Sequence, residues 1–133
     1  MRLLLRLLPA MLLSILAASC ASPLQQASRQ KGIVTHVVTC WLYDRSDETA
    51  LKEVTEASGK LRDIPGVLNV SVGRMLPSDR AGVDNSFDLA IVVTLADEAA
   101  LQRYLKDPKH LALRKAVLER YVPTVRIYDA VSE

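Results

Sequence analysis

Between Ile33 and Leu42 the chain runs ten positions without Asp, Glu, Lys or Arg, and β-branched and aromatic side chains dominate. That pattern predicts a strand. Val34, His36, Val38, Cys40 and Leu42 alternate with Ile33, Thr35, Val37, Thr39 and Trp41, so both faces are largely apolar. Such a strand is covered twice, by helices on one face and by a further layer, such as a partner subunit, on the other. The period then changes. Ala50, Val54, Ala57 and Leu61 recur at helical spacing behind Ser46 and Asp47, either of which can cap a helix. Ile64-Pro65-Gly66 ends that helix in a turn.

Alternation returns in Val67–Arg74, where Leu68, Val70 and Val72 oppose Asn69, Ser71 and Gly73. Residues 75–86 form a polar loop rich in turn formers, including Pro77, Gly82, Asp84 and Asn85. Phe87, Leu89, Ile91, Val93 and Leu95 then alternate without a break, the firmest strand signal in the chain. Asp97 caps a short helix through Leu105. Asp107-Pro108 restarts the chain as another helix reaching about Tyr121, with Asp107 in the cap position and Pro108 in the first helical one. A final strand spans 122–130, with Val125 and Ile127 on one side and Thr124, Arg126 and Tyr128 on the other. The order strand, helix, strand, strand, helix pair, strand is the split β-α-β arrangement of ferredoxin-like α+β folds. It implies a four-stranded antiparallel sheet with helices on one face, the other face being solvated or paired.

The first thirty residues are of a different kind. Arg2 and Arg6 precede an apolar run from Leu7 to Ala18, the proportions of a secretory signal and shorter than the roughly 20 residues of a spanning helix. Leu16-Ala17-Ala18-Ser19-Cys20 follows the pattern of a bacterial lipobox, in which the cysteine thiol becomes acylated at the first mature position. Ala17 stands where the commonest pattern has Leu. The expected organisation is a signal at 1–19, a polar tether at 20–31 and one domain at 32–133, held to a membrane through lipid on Cys20. The absence of Asp at position 21 points to the outer membrane in a Gram-negative cell. The alternative is cleavage near Ala18 or Ala21, which leaves a soluble secreted or periplasmic protein and permits a Cys20–Cys40 bridge. The formal charge of +2 belongs to the signal. Removing it takes two of the 17 basic residues and leaves acidic and basic side chains equal at 15, a balance that does not suggest nucleic acid as a partner.

Candidate chemistry is sparse. His110 falls in the first turn of the last helix, where the positive end favours a neutral imidazole that can act as a base, while Asp107 favours the cation. At helical spacing with Leu113, Val117 and Tyr121 it can equally be a packed core residue. Tyr104 lies six positions upstream, either a half-buried aromatic or a phenol that orients a carbonyl or a water. His36, between Val34 and Val38, is a hydrogen-bonded core histidine or a pocket residue. Cys40 has no activating neighbour in sequence and reads as a buried, inert thiol. Arg74 and Arg80, around the polar loop, are either an anion-attracting pair or, more simply, solvated loop residues. The sequence has no ligand spacing for a metal, no Gly-rich phosphate loop, no nucleophile elbow and no paired carboxylates, so no cofactor is implied.

Residues 33–130 resemble the stress-responsive dimeric α/β-barrel (Dabb) family. The resemblance rests on His36-Val37-Val38 in the first strand, Ile64-Pro65-Gly66-Val67 before the second and Val72-Gly73-Arg74 at its end. Phe87-Asp88-Leu89-Ala90 and Tyr104-Leu105-Lys106-Asp107-Pro108-Lys109-His110 complete it. It implies two sheets packed face to face across a homodimer. Asp107 replaces the first histidine of the family's usual His-Pro-x-His, which keeps the cap and removes one acid–base group. Polyketide-cyclase members use a His and a Tyr at positions matching His110 and Tyr104, and a pocket His matching His36. Most members have no established activity, so the resemblance implies a pocket more than a reaction. The expectation is therefore a homodimeric, lipid-anchored module that binds a small apolar or aromatic molecule. The alternatives are a lyase, cyclase or monooxygenase-like enzyme with His110 as base and Tyr104 assisting, and a structural envelope dimer without ligand.

Overall fold

A computed structural model describes residues 31–133; the signal at 1–19 and the tether up to residue 30 lie outside the described residues. Four strands, β1 (Val34–Trp41), β2 (Val67–Arg74), β3 (Leu89–Leu95) and β4 (Thr124–Val131), form one antiparallel sheet in the order β2-β3-β1-β4. Helix α1 (Glu48–Gly59) follows β1 and tightens into a 3-10 turn at Lys60–Asp63. Helix α2 (Glu98–Lys106) follows β3, and α3 (Pro108–Leu113) continues through a π-helical turn at Arg114–Leu118 into a last turn at Glu119–Tyr121. This is the ferredoxin-like α+β fold expected from the element order. Among the described residues no helix is long and apolar enough to cross a membrane.

Each helix starts where a carboxylate satisfies its free N–H groups. Asp47 accepts from Thr49 and Ala50, Asp97 from Ala100, and Asp107 from Lys109, with Pro108 at the first helical position. Gly66 connects the 3-10 turn to β2 with φ +93°, and a Cβ there would stand 2.8 Å from Ala100 Cβ. Glycine thus permits both the left-handed turn and the close approach of α2.

The core lies between sheet and helices. Val34, Val38 and Cys40 of β1, Leu89, Ile91, Val93 and Leu95 of β3, and Val70 of β2 meet Leu51, Val54, Leu61, Leu101 and Leu113. On the opposite face Thr35, Val37, Thr39 and Trp41 are half-buried, and Tyr128, Val37 and Val92 form an apolar row across three strands. Hydrogen bonds tie the two ends of the domain: the Gly32 N–H donates to the Ser132 carbonyl and the Ser132 N–H to the Ile33 carbonyl, each at 2.9 Å.

Four local departures from the expected pattern have visible causes. A bulge between Val67 and Asn69 turns Leu68 outward, so it does not share a buried face with Val70. Strand β3 begins at Leu89, not Phe87, because the Asp88 carboxylate is turned aside to accept the Leu42 N–H at 2.8 Å and the Arg45 guanidinium at 2.8 and 2.9 Å. Strand β4 begins at Thr124 since the Val122 N–H still donates to the Leu118 carbonyl at 2.8 Å and Pro123 has no N–H to offer. The π-helical turn brings the Glu119 N–H to the Arg114 carbonyl. It inserts a residue into the stripe His110, Leu113, Val117, Tyr121, of which the first two are buried and the last two only partly so.

Candidate functional site

The site is assembled from β1, β4 and the junction of α2 with α3. On β1, alternation directs His36 to the helix side, where it is 3% exposed. Tyr104 stands in the last turn of α2 and His110 in the first turn of α3; the Asp107-Pro108 break folds the second helix back and brings the two rings together. The Tyr104 and His110 centroids are 4.5 Å apart at 37°, and the His36 and Tyr104 centroids 5.7 Å apart, edge to face at 66°. The three residues singled out in the sequence therefore share one cluster, with the phenol between two imidazoles.

Asp129 is a fourth member that sequence reasoning missed. It pairs with His36 across the β1–β4 ladder, and its carboxylate lies 2.6 Å from His36 Nδ1. A legible signal existed: Asp129 is the one charge on the β4 face that otherwise carries Val125, Ile127 and Val131. With Nδ1 donating to Asp129, the lone pair of a neutral His36 resides on Nε2. His110 follows the same logic, its Nδ1 lying 3.3 Å from the Leu105 carbonyl.

Burial sets the electrostatics. Removal from water lowers the His110 pKa below its ordinary value, aided by positive charge at His36 and Arg114, and outweighs the Leu105 carbonyl and Asp107, which pull upward. His110 is therefore a neutral acceptor at neutral pH, and the opposition foreseen between helix end and Asp107 is settled chiefly by desolvation. Burial pushes the Tyr104 phenol up to about 12, which keeps it a hydrogen-bond donor. The arrangement brings together a phenolic donor, the imidazole acceptor of His110 and the ring of His36 bonded to Asp129, with Ile127 and Val131 exposed on either side of Asp129 on β4.

The remaining candidates lie elsewhere. Cys40 is a buried free thiol held at about 11 by desolvation and by the negative charge of Asp88, so its thiolate is suppressed. The Arg74 guanidinium is engaged by Glu48, and Arg80 Nε donates to Ser78 Oγ at 3.2 Å. Cys20 lies outside the described residues. Among the described residues no three His, Cys, Asp or Glu side chains come together as a metal-ligand set.

Comparison with known proteins places the fold. A ferredoxin-like Dabb-family protein from Mesorhizobium loti MAFF303099 superposes with a TM-score of 0.64 at 24% identity, covering 77% of this chain and 99% of that one. The hydroxynitrile lyase of Passiflora edulis gives 0.65 at 18% identity, with 78% and 96% covered. A mutant form of SnoaB, a cofactor-independent oxygenase of Streptomyces nogalater, gives 0.59 at 16% identity, with 77% and 94% covered. A search of curated proteins finds no match. Residues 34–132 match the Stress responsive A/B Barrel Domain, and the chain belongs to that family, Dabb.

Proposed function

We propose that the protein is a homodimeric small-molecule binding module, exported and held to a membrane through lipid on Cys20, whose site is the His36–Tyr104–His110 cluster. The observation that carries the binding role is the convergence of a phenol and two imidazoles beside an uncovered apolar stretch of β4. A site with few convergent polar groups on an apolar wall suits a compact apolar or aromatic molecule bearing one carbonyl or hydroxyl. A thermal-shift screen of hydrophobic acids, quinones and phenols tests it. At least one compound is expected to raise Tm in the wild type and not in His110→Ala; no stabilisation by any of them overturns the reading.

Dimerisation is supported by the apolar row Tyr128–Val37–Val92 on the helix-free face of the sheet. Val37→Asp combined with Val92→Asp is expected to halve the mass measured by sedimentation while the circular-dichroism spectrum is retained. An unchanged mass argues against pairing through this face. Labelled palmitate is expected to enter the wild type and not Cys20→Ser, and incorporation into neither removes the anchoring.

A second reading has its own support: desolvation leaves His110 neutral, the state a general base requires, with a phenol against its ring. The Passiflora lyase and the Streptomyces oxygenase share the fold. On this reading His110 removes a proton from a bound carbonyl compound while Tyr104 donates to the developing oxyanion. Turnover abolished in His110→Gln, with the ligand still bound, selects catalysis over binding alone.

A further inference from the structure

A concavity lies on the outer side of the helical layer, between α1 and the rod that starts with α3. Its volume is about 340 Å³, and its walls are Ala57 and Leu61 on one side and Ala112, Leu113, Ala116 and Val117 on the other. Three of these six are alanines, so Leu61, Leu113 and Val117 close the floor of the seam while its outer part is left unfilled. Ala116 and Val117 belong to the π-helical turn, an irregularity that recurs at functional sites. The volume falls at the low end of the range for small-molecule sites.

Among the described residues, the charged side chains lining the trough are Lys60 and Lys109. Lys109 Nζ donates to the Asp63 backbone carbonyl at 3.3 Å, which holds that ammonium at the rim and leaves two N–H donors for another acceptor. Neither lysine forms an ion pair with another described residue. An apolar trough with two uncompensated ammonium groups has the complementarity of a chain with an anionic head. The limited volume suits one short chain better than a two-chain lipid.

We propose that this trough is a binding site for a single-chain aliphatic carboxylate, a medium-chain fatty acid, its tail over Ala57, Ala112 and Ala116 and its carboxylate between Lys60 and Lys109. None of these residues belongs to the His36–Tyr104–His110 cluster, so this site stands or falls independently of that one.

The test is isothermal titration of the full chain with decanoate below its micellar concentration, beside decanol and decyltrimethylammonium as probes of the head group. Decanoate is expected to bind more tightly than decanol, and the cation not at all. Affinity should rise about three- to fourfold per methylene from hexanoate to decanoate, the increment of hydrocarbon burial. Lys60→Glu with Lys109→Glu should weaken decanoate at least tenfold. Ala116→Phe, a substitution at an exposed position that fills the trough, should do the same with Tm unchanged, and Ala112→Leu serves if the first variant misfolds. Amide shifts in the NMR spectrum should centre on Ala57, Ala112 and Ala116. Equal binding of all three head groups, full affinity in the filled variants, shifts centred on His36 and Asp129, or no binding because the chain's own N-terminal segment or a second copy fills the trough would each overturn the proposal.

Discussion

The helix side of the sheet is two surfaces of opposite character. Under the helices, Val93 and Leu95 of β3 are 0% exposed; on the same face of β4, Val125, Ile127 and Val131 are 43%, 52% and 49% exposed. Both stretches alternate apolar residues with equal regularity, so the difference lies in what stands above them. Helix α1 packs chiefly on β2 and α2 on β3, at the other end of the sheet from the β4 edge. The candidate site occupies the seam between the two surfaces, where a 3%-exposed His36 side chain meets an Asp129 side chain that is 48% exposed. A buried imidazole is thus orientated by a carboxylate that still touches solvent, while Tyr104 behind it, 2% exposed, belongs to the core.

The contrast makes predictions of decreasing size. Leu95→Ala is expected to destabilise by about 2–5 kcal/mol through transfer and cavity terms, whereas Ile127→Ala should stay within about 1 kcal/mol. Urea titrations giving equal losses would erase the distinction between the two surfaces. Gly66→Ala forces a non-glycine residue into positive φ against Ala100 and should cost about 1–3 kcal/mol in the same assay. A neutral effect would mean that α2 yields where the packed half is held to be rigid.

At the seam the effects shrink. Asp129→Asn should change stability by under about 1 kcal/mol, because its carboxylate is half in water, yet alter the tautomer balance of His36 in ¹⁵N NMR. Unaltered ring shifts would remove Asp129 from the site. The smallest signal concerns pH. The folded-state pKa of His110 lies below the ordinary 6.5, so the unfolded chain takes up the proton first as pH falls. Stability is therefore lost below about pH 6.5 and regained above it. Denaturation midpoints in wild type and His110→Gln should converge in slope if His110 carries none of this dependence, and the variant should be flatter if it does.

The elements were legible because the periods were clean. Strict alternation from Leu89 to Leu95, and the Asp107-Pro108 start, leave little choice about strand and helix. What alternation cannot register is a single-residue slip: the bulge at Leu68 and the π-helical turn at Arg114–Leu118 each displace a face without changing composition. In the site, His36, Tyr104 and His110 were visible as residues, and the fold supplied their convergence. Asp129 was harder, since its importance depends on β4 pairing with β1 in a register that places it opposite His36 across 93 residues of chain. The exposure of β4 was equally hidden, because helix reach is set by packing and not by the strand's own pattern.

The stitching of Gly32 and Ile33 to Ser132 bears on how the domain can be rebuilt. With first and last strands adjacent and their ends bonded, a short glycine–serine bridge between them would span almost no distance. New termini could then be cut in the polar loop at 75–86, which is largely exposed and lies outside the core. In such a rearranged chain β1 and β4 become one continuous hairpin, and the residues that meet at His36 and Asp129 turn from the most distant partners in the sequence into near neighbours.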